Sequence, residues 1–426
     1  MIRLHGLLAV AALVVAVSAS AQAPQFGGSG DPTRAGENQT LAVHVNEAIS
    51  LAYGFGNTFM VTTPEGNVII DTSSVRRAPA AKKLLQAVSD APIRYIVLTH
   101  AHGDHTGGVP LWKQQGTQII AQAEHVEFVH YQARLAGFFG VRNSAQFGYP
   151  IPQDTRWVGN RGGTILATRL FDHNYEFTLG GVRFEILRTP GETPDHLTVW
   201  IPQYKAAFVG DNYYESFPNI YTLRGTKPRW ALDYIDSLNK VLALKPEIVL
   251  PSHGDPIMGS EEITRRLTRY RDAIAYVHDE TVKGMNAGKD VFTLMREIKL
   301  PANLAIGESY GNLTWSIRGI YEGYAGWFDL NPGTMYDVSI DAVLPEVGKL
   351  AGGAEPLASL AREKVATGKY VEALHLTSIA LASEPAHRGS LEARLAALEK
   401  LRAQSANSNE RGWLDYSIRE TKARMK

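Results

Sequence analysis

Short apolar runs and amphipathic stretches alternate along the first 260 residues of the chain. The apolar runs at 59–63, 68–71 and 93–98 predict strands. The stretch 78–88 places its leucine and valine residues on one face and predicts a helix. Strands and helices that alternate in this way favour a layered α/β domain with its sheet inside.

Beyond about residue 260 the pattern becomes helical. Residues 261–287 carry one long helical periodicity, and 357–401 predict three further amphipathic helices. The aromatic-rich patch at 315–328 is either core or an interface, and core is the expectation. We therefore predict an α/β domain over residues 24–260 and an all-α domain over 261–426.

Composition sets limits on what this protein does. The 426 residues suffice for a large domain and a smaller one, and 43 Lys and Arg balance 43 Asp and Glu. No overall field therefore points to nucleic acid or to an acidic membrane surface. Because the chain has no cysteine, disulfides and cysteine-linked lipids are excluded, and stability is expected from core burial and bound metal.

The first 23 residues predict a signal peptide. Arg3 supplies the positive start, 7–17 the apolar stretch, and the Ala-Gln-Ala at 21–23 a small-residue cleavage site. The apolar stretch is too short to span a bilayer comfortably, so no membrane span is expected. A buried N-terminal helix is the alternative interpretation. We predict a cleaved, periplasmic or secreted protein.

A cluster of metal-ligand side chains follows the apolar run at 93–98. Within six residues the chain places three histidines and an aspartate, namely His100, His102, Asp104 and His105. Imidazole and carboxylate groups suit zinc, and no cysteine competes for it. A polar loop that happens to be rich in histidine is the alternative, but the pattern favours a metal site.

Two other apolar strands also end on possible ligands. Asp211 follows the run at 207–210, and His253 follows the run at 248–252. Ligands gathered at strand ends are what a site on a rigid scaffold requires. A helix N-cap is the alternative for Asp211, and a hydrogen-bonded core histidine is the alternative for His253. Four histidines lack such a context and are not assigned as ligands: His125, His130, His173 and His278.

Together these segments resemble the metallo-β-lactamase superfamily. The superfamily pattern His-x-His-x-Asp-His is matched at 100–105, and its Thr-Pro-Gly segment is matched at 189–191. Its Gly-Asp and Ser-His pairs are matched at 210–211 and 252–253. The resemblance implies an αββα sandwich with a two-metal site at one edge of the sheets.

Within that superfamily the chain is similar to the alkyl sulfatase branch. Glu192 stands where most members carry histidine, and Asn-Ile-Tyr-Thr-Leu-Arg-Gly at 219–225 is similar to a motif of that branch. The segment 319–332 resembles the opening of the branch's helical dimerisation domain, which implies a homodimer. The resemblance covers about residues 40–420.

The chain also departs from the branch in two ways. The branch usually has a glutamate and two histidines before its Asn-Leu-Tyr-Thr-Leu-Arg-Gly motif, whereas this chain has Asp211, Glu215 and Pro218. We also expect it to lack the sterol-carrier-like domain that follows in those enzymes. Both departures count against long-chain sulfate esters as substrates and leave the hydrolytic core intact.

The resemblance implies a set of ligands for two Zn²⁺ ions per chain. One ion takes His100, His102 and Glu192, and the other takes Asp104, His105 and His253, with Asp211 as the bridge. A metal-bound hydroxide is then the implied nucleophile. Three carboxylates and one hydroxide balance two divalent ions. Asp195 and His196 are alternatives to Glu192 as the third ligand of the first ion.

Arg224 is the first candidate for binding the substrate. Its guanidinium offers a planar fork of donors that matches the oxygens of a sulfate. Asn219 and Tyr221 are assigned as donors to the developing charge, with a structural role at a sheet edge as the alternative. Arg229 is a second cationic candidate, and Asp104 is assigned to catalysis as well as to metal. Four aromatic residues are expected in a pocket wall or in the core: Phe138, Phe139, Phe147 and Tyr149.

The sequence therefore predicts a metal-dependent hydrolase of alkyl sulfatase type that cleaves a sulfate ester or a related anionic ester. A β-lactamase- or lactonase-type zinc hydrolase on the same fold is the alternative. A dimeric, non-enzymatic binding protein is the third hypothesis, disfavoured by the nearly complete ligand set. The expected partners are a small anionic substrate and a second copy of the chain, with no nucleic acid.

Overall fold

The computed structural model describes residues 32–148 and 164–426 of the chain. Two mixed β-sheets form its centre. The first sheet runs in chain order through Val43–His44 (β1), Ile49–Ala52 (β2), Thr58–Thr63 (β3), Gly66–Ile70 (β4), Ile93–Val97 (β5), Gln118–Gln122 (β6) and Arg169–Phe171 (β7). The second contains Asn174–Leu179 (β8), Val182–Arg188 (β9), Leu197–Ile201 (β10), Ala206–Gly210 (β11), Ile248–Pro251 (β12) and Ile257–Met258 (β13).

The α-helices flank the two sheets and make up the C-terminal part. Those before residue 250 are Ala78–Gln86 (α1), Gly103–Thr106 (α2), Val109–Trp112 (α3), His125–Arg134 (α4), Ala136–Phe147 (α5) and Ala231–Ala243 (α6). The later helices are Ser260–Asn286 (α7), Val291–Glu297 (α8), Leu313–Ala325 (α9), Leu344–Leu350 (α10), Ala354–Ala366 (α11), Tyr370–Ser383 (α12), Arg388–Gln404 (α13) and Ser408–Arg424 (α14). In the described part of the chain, no helix is long and apolar enough to cross a membrane.

Strand order explains why one sheet edge can collect ligands. Strands β4, β5, β6 and β7 pair in parallel, as do β11 and β12. Parallel neighbours end at the same edge of their own sheet, so the segments after β11 and β12 leave the second sheet together, and the segment after β5 leaves the first sheet beside its parallel neighbours. The residues of β10, β11 and β12 are all buried, as expected for strands covered on both faces.

The main core lies between the two sheets. Phe59 of the first sheet meets Phe208 of the second with ring centroids 5.2 Å apart. Leu85 and Trp112 pack on the outer face of the first sheet, and α6, α7 and α9 cover the second. This αββα sandwich, followed by an all-α region, confirms the predicted fold class.

The C-terminal helices pack in sequence order, α11 on α12, α12 on α13 and α13 on α14. Small side chains, among them Ala361, Ala373 and Ala397, let these helices approach one another closely. α14 also contacts α5 in the sheet-containing part of the chain, so the helical region borders the sandwich at this point. The predicted domain boundary at residue 260 coincides with the start of α7 and stays a prediction.

The aromatic patch at 315–328 does not form a continuous core. Ile317 and Ile320 of α9 are buried, but Trp327 is 75% exposed. Every residue from 324 to 343 is exposed, including Leu330 at 84% and Tyr336 at 71%. The expectation of core is therefore wrong for the end of this patch, because α9 stops at Ala325 and the following segment runs over the surface.

Candidate metal centre and anion site

The predicted ligands come from the ends of three strands. The loop after β5 carries His100 and His102, and the first turn of α2 carries Asp104 and His105. Asp211 directly follows β11, and His253 follows β12 after one intervening residue. The structure therefore brings all six of these side chains to one place.

Gly210 is required where β11 meets the site. Its backbone has φ +53°, and a Cβ there would lie 2.2 Å from Nε2 of His196. That imidazole nitrogen accepts the backbone N–H of Asp211 at 3.0 Å. Only glycine allows this approach, and the approach fixes the direction in which Asp211 leaves the strand.

Ligand atoms form two groups, each spanning no more than 4.8 Å. His100, His102 and Asp211 make the first group, which is buried throughout. Asp104, His105 and His253 make the second, and here Nε2 of His253 lies 3.5 Å from the Asp104 carboxylate. Groups of three nitrogen and oxygen ligands at this spacing are what a bound divalent cation requires.

Asp211 lies between the two groups. Its Oδ2 is 3.7 Å from Nε2 of His100, 3.5 Å from Nε2 of His105 and 3.1 Å from Nε2 of His253. One carboxylate oxygen therefore faces histidines of both groups. This is the position that the resemblance assigns to a bridging ligand.

Two buried atoms here find no hydrogen-bond partner among the described residues. They are Nε2 of His105, whose other ring nitrogen bonds Asp71, and Oδ1 of Asp211. An unpaired buried polar atom costs about 1–3 kcal/mol. Both orphaned atoms point to a site that a cation completes, so the donor set fits the metal that the family implies.

Electrostatics around the two groups differ. Burial, followed by the neighbouring His105, lowers the pKa of His100 well below its ordinary value. Burial also lowers the pKa of His102, with Arg224 as the next cause. Both imidazoles are therefore neutral, which is the form that binds metal. Around His105, the carboxylates of Asp211 and Asp104 outweigh burial and raise its pKa, so this negatively charged pocket favours a cation.

Asp71 is a site residue that the sequence reasoning missed. Its carboxylate accepts from Nδ1 of His105 at 2.8 Å, from the backbone N–H of Thr99 at 2.8 Å and from the Ser252 hydroxyl at 2.8 Å. It therefore holds both ligand loops and turns Nε2 of His105 toward the site. Asp71 itself has φ +54°, an uncommon conformation for a residue other than glycine.

Glu192 lies at the edge of the first group. Its Oε1 is 3.8 Å from Nδ1 of His102, while Oε2 is 2.5 Å from the guanidinium of Arg229 and accepts from the Tyr234 hydroxyl at 2.8 Å. One oxygen is thus engaged, and the other faces the histidine group. Burial raises the pKa of Glu192, against the effect of Arg229.

The two alternatives to Glu192 are held elsewhere. Asp195 bonds Nδ1 of His125 at 3.0 Å, with both side chains buried. The two ring nitrogens of His196 contact the carbonyl oxygen of Thr189 and the N–H of Asp211. Both side chains are therefore engaged in contacts with neighbouring residues and help to hold the ligand loops. This favours Glu192 as the third ligand of the first ion. Of the histidines left unassigned, His278 bonds Asp279 and Tyr324 on the far side of α7.

Arg224 lies next to the first group without an acidic partner within 4.0 Å in the described part of the chain. One of its terminal nitrogens is 3.5 Å from Nε2 of His102, and its Nε is buried without a hydrogen-bond partner there. Burial and then the charge of Arg229 lower the pKa of Arg224. An unpaired guanidinium beside neutral imidazoles is arranged to hold an anion.

Contacts with α5 hold the backbone of Arg224. The Arg142 guanidinium donates to the carbonyl oxygens of Arg224 and Leu223, each at 2.6 Å. Oε1 of Gln146 accepts the N–H of Arg224 at 2.9 Å and the indole N–H of Trp413 at 3.3 Å. The Arg224 loop is therefore positioned from α5, and α5 in turn contacts α14 of the helical region.

The other predicted substrate residues are placed differently. Oδ1 of Asn219 is buried and unpartnered among the described residues, and its carbonyl oxygen accepts from Arg229 at 2.8 Å. Tyr221 packs against Gly319 of α9 and is 36% exposed. Asn219 thus belongs to the arginine cluster, whereas Tyr221 borders the helical region. Both roles stay predictions.

A cavity of about 500 Å³ opens beside His253. Phe55, Phe147, Tyr214 and Tyr310 line its inner part, and residues of α14 line its outer part. Of the aromatic residues predicted for a pocket wall, Phe147 lines this cavity. Phe138 is half exposed, Phe139 is buried, and Tyr149 lies outside the described residues. The cavity volume lies within the range of about 300–1,000 Å³ that small-molecule sites occupy.

Family comparisons agree with this geometry. Residues 52–253 match the metallo-β-lactamase superfamily, and residues 293–423 match the alkyl sulfatase dimerisation family. The linear primary-alkylsulfatase of a Pseudomonas species is 30% identical over 395 residues, which cover 86% of this chain and 74% of that protein. Alkyl/aryl-sulfatase BDS1 of Saccharomyces cerevisiae is 26% identical over 380 residues, or 82% of this chain and 59% of that protein.

A solved structure shares the same architecture. The stereoselective inverting sec-alkylsulfatase Pisa1 from a Pseudomonas species superposes with a TM-score of 0.82 at 22% sequence identity. The match covers 91% of this chain and 66% of that one. At this identity the likeness concerns the fold, which extends through the sandwich and the helical region alike.

Proposed function

Because this chain belongs to the alkyl sulfatase family of the metallo-β-lactamase superfamily, we propose that it hydrolyses a sulfate ester, or a related anionic ester, with two bound Zn²⁺ ions. The observation that carries the proposal is the unpaired Arg224 guanidinium, 3.5 Å from His102 of a buried ligand group. A cation site beside an anion site suits the hydrolysis of an ester that carries a negative charge, such as a sulfate ester.

The residues that would hold the two ions are those of the two ligand groups together with Glu192, which lies at the edge of the first group. His100, His102 and Glu192 would take one ion, and Asp104, His105 and His253 the other, with Asp211 between them. Two bound cations would supply a water of lowered pKa and polarise the ester oxygens. Zinc is proposed because all the ligands are imidazole or carboxylate groups.

The protein's own residues would orient the substrate and hold the metal ligands in the orientation that binds metal. Arg224 would bind the sulfate oxygens through its planar fork, and burial next to Arg229 strengthens this preference for an anion. Asp71 fixes the ring of His105, and Tyr234 with Arg229 orients Glu192. The substrate's carbon chain would lie along the aromatic wall beside His253.

The decisive experiment compares two substrates on the zinc-loaded protein. A medium-chain alkyl sulfate, followed by sulfate release, should be hydrolysed, whereas a chromogenic cephalosporin should not. Arg224→Ala should lower kcat/KM for the sulfate about a hundredfold or more, because the charged sulfate group loses its partner. Lys227→Ala is the control, since this nearby cation pairs with Glu127 at 3.4 Å on the surface.

Lactam opening without sulfate release would contradict the proposal. It would instead favour the β-lactamase- or lactonase-type hydrolase that the shared fold permits. Metal binding without turnover of either compound would favour a binding protein.

We also propose that the chain acts as a homodimer. The exposed segment 324–343 places Trp327, Leu330 and Ile340 in solvent, and it lies within the residues that match the dimerisation family. A run of exposed large apolar side chains is unfavourable for a monomer and marks an interface. Light scattering should give twice the chain mass, and a single-chain mass would contradict the dimer.

Export stays a proposal that the predicted signal peptide supports, and residues 1–23 lie outside the described residues. Mass spectrometry of the protein from its producing cells should find a mature start at Pro24. An intact N-terminus would contradict export by this route.

A further inference from the structure

The cavity beside His253 has two unlike walls. Near the ligand groups the wall is aromatic: the ring centroid of Phe55 is 5.1 Å from that of His253 and 5.7 Å from that of Phe147. The outer wall is formed by α14 and carries Arg411, Asp415 and Arg419. The cavity thus leads from an apolar interior to a charged rim.

The charged side chains that line the cavity do not all have a partner of opposite charge. Asp415 is paired with Arg402 at 2.7 Å, and Glu215, also on the cavity wall, forms an ion pair with Arg266. Within residues 32–148 and 164–426, neither Arg411 nor Arg419 has an acidic partner within 4.0 Å. Two guanidinium groups therefore remain uncompensated at the outer end of the cavity.

The spacing of Arg411 and Arg419 along α14 places both on the same face of the helix. They lie eight residues apart on α14, with Asp415 midway, so the three residues occupy one face of the helix. That face is the one that lines the cavity. The other basic residues near the end of this helix, Lys422 and Arg424, contact α13 and the segment before it instead.

A plain alkyl sulfate does not explain these two cations. Its single anionic group would lie at Arg224 and the ligand groups, and its chain would need only the apolar wall. Guanidinium forks match a carboxylate at the far end of such a chain. Building on the proposed function, we propose that the preferred substrate is a sulfate ester whose distal end carries a second anionic group, bound by Arg411 and Arg419.

The reaction itself is unchanged by this assignment. Water and the carboxylated sulfate ester give the hydroxy acid and hydrogensulfate, with one ester bond broken and the hydrogen atoms of water divided between the two products. Arg411 and Arg419 take no part in bond cleavage. They are specificity residues, so their effect should appear in substrate preference.

The test uses two esters of the same chain length, octyl sulfate and its ω-carboxylated counterpart. The parent protein should show kcat/KM about tenfold higher for the carboxylated ester, and the double variant Arg411→Gln/Arg419→Gln should lose this preference. The variant should hydrolyse octyl sulfate within about twofold of the parent. Arg424→Gln, which removes a charge from the same helix outside the cavity, is the matched control and should retain the preference.

Titration calorimetry with the two matching sulfonates, which resist hydrolysis, separates this inference from the proposed function. A preference of the parent for the carboxylated sulfonate that the double variant loses supports the anionic site even if neither ester turns over. Equal binding of the two sulfonates by the parent overturns it, as does an equal loss on both esters in the double variant. Hydrolysis of octyl sulfate without any preference would leave the proposed function standing and refute only the distal site.

Discussion

The proposed metal centre and the proposed anion site of this protein are built in different ways. The ligand groups come from the segments that follow β5, β11 and β12, so their placement depends on the strands of the sandwich. Arg224 comes from a loop without regular secondary structure, held by α5 and, through Gln146, by α14 of the helical region. One half of the site is thus a property of the sandwich, and the other half depends on how the two parts of the chain pack.

Because the two halves of the site are built differently, substitutions in them should have different effects. A change at a strand-end ligand should abolish metal binding locally and leave the fold intact, because the strands are stabilised by the core between the sheets. A change in the contacts around Arg224 should leave the metal in place and affect the anion. Substitutions in the two halves should therefore be distinguishable by metal content and by KM.

Loss of a proposed metal ligand should have the largest effect. His105→Ala removes an imidazole whose Nε2 faces both Asp104 and Asp211, so the second group keeps only two ligands. We expect the protein to lose about one metal ion per chain and kcat/KM for an alkyl sulfate to fall more than about a thousandfold. Elemental analysis and sulfate release measure the two quantities. His130→Ala is the control, and full metal content in His105→Ala would contradict the assignment.

Replacement of Glu192 should affect stability as well as metal binding. Glu192→Ala leaves the buried Arg229 guanidinium without its carboxylate, and breaking a buried pair on one side costs about 3–5 kcal/mol. Urea unfolding of the metal-free protein should therefore show a lowered free energy of unfolding. Glu192→Ala/Arg229→Met, which removes both charges, should recover much of that loss.

The metal content of Glu192→Ala/Arg229→Met tests whether Glu192 is itself a metal ligand. If Glu192 is a ligand, one ion per chain should still be missing when stability has been recovered. Full metal content would mean that Glu192 serves only to neutralise Arg229.

A smaller effect is expected at Asp71, which touches His105 but no metal. Asp71→Asn retains the size of the side chain and weakens its hold on the His105 ring and the Thr99 backbone. Zinc affinity should fall about 10–100-fold, the range found for residues that orient metal ligands. Competition with a chromophoric chelator measures the affinity. An unchanged zinc affinity would mean that the loop positions His105 without this carboxylate.

The sequence predicted the parts of the molecule that local patterns encode. The alternation of apolar runs predicted a layered α/β domain, and the side chains placed after those runs predicted a metal site. The αββα sandwich and the division of the ligands into two groups came from the family resemblance. Asp71 was missed because it lies 34 residues before His105 and follows β4 as a single acidic residue without a cluster around it. A signal was present, since Asp71 also ends an apolar run, as Asp211 does.

The contacts that hold the Arg224 loop could not be predicted from a local sequence pattern. Trp413 contacts Gln146 across 267 residues, and no periodicity links a tryptophan on the last helix to an amide on α5. The surface position of Trp327 was also unpredictable, because an aromatic patch has the same appearance in sequence whether a core or a partner covers it. Contacts that depend on how two parts of a chain pack cannot be read from spacing.

A smaller effect still is expected when the packing between the two parts of the chain is changed. Gln146→Leu removes the acceptor of the Arg224 N–H and the donor to the Thr222 hydroxyl, at a position where Gly412 of α14 closely approaches the backbone of residue 146. The Arg224 loop should loosen, so KM for an alkyl sulfate should rise about five- to tenfold with little change in metal content or kcat. Val141→Ala, at an exposed position of the same helix, should leave KM unchanged.

Trp413→Phe extends the test to the helical region. It removes the indole N–H that Gln146 accepts at 3.3 Å and shortens the ring that lies 5.4 Å from the Arg142 guanidinium, while an aromatic ring is retained. KM should therefore rise about twofold, less than in Gln146→Leu. If both variants lower kcat and metal content together, the helical region stabilises the whole site and the two halves are not separable. If KM alone responds, α14 positions the anion side of the site while the sandwich holds the metal.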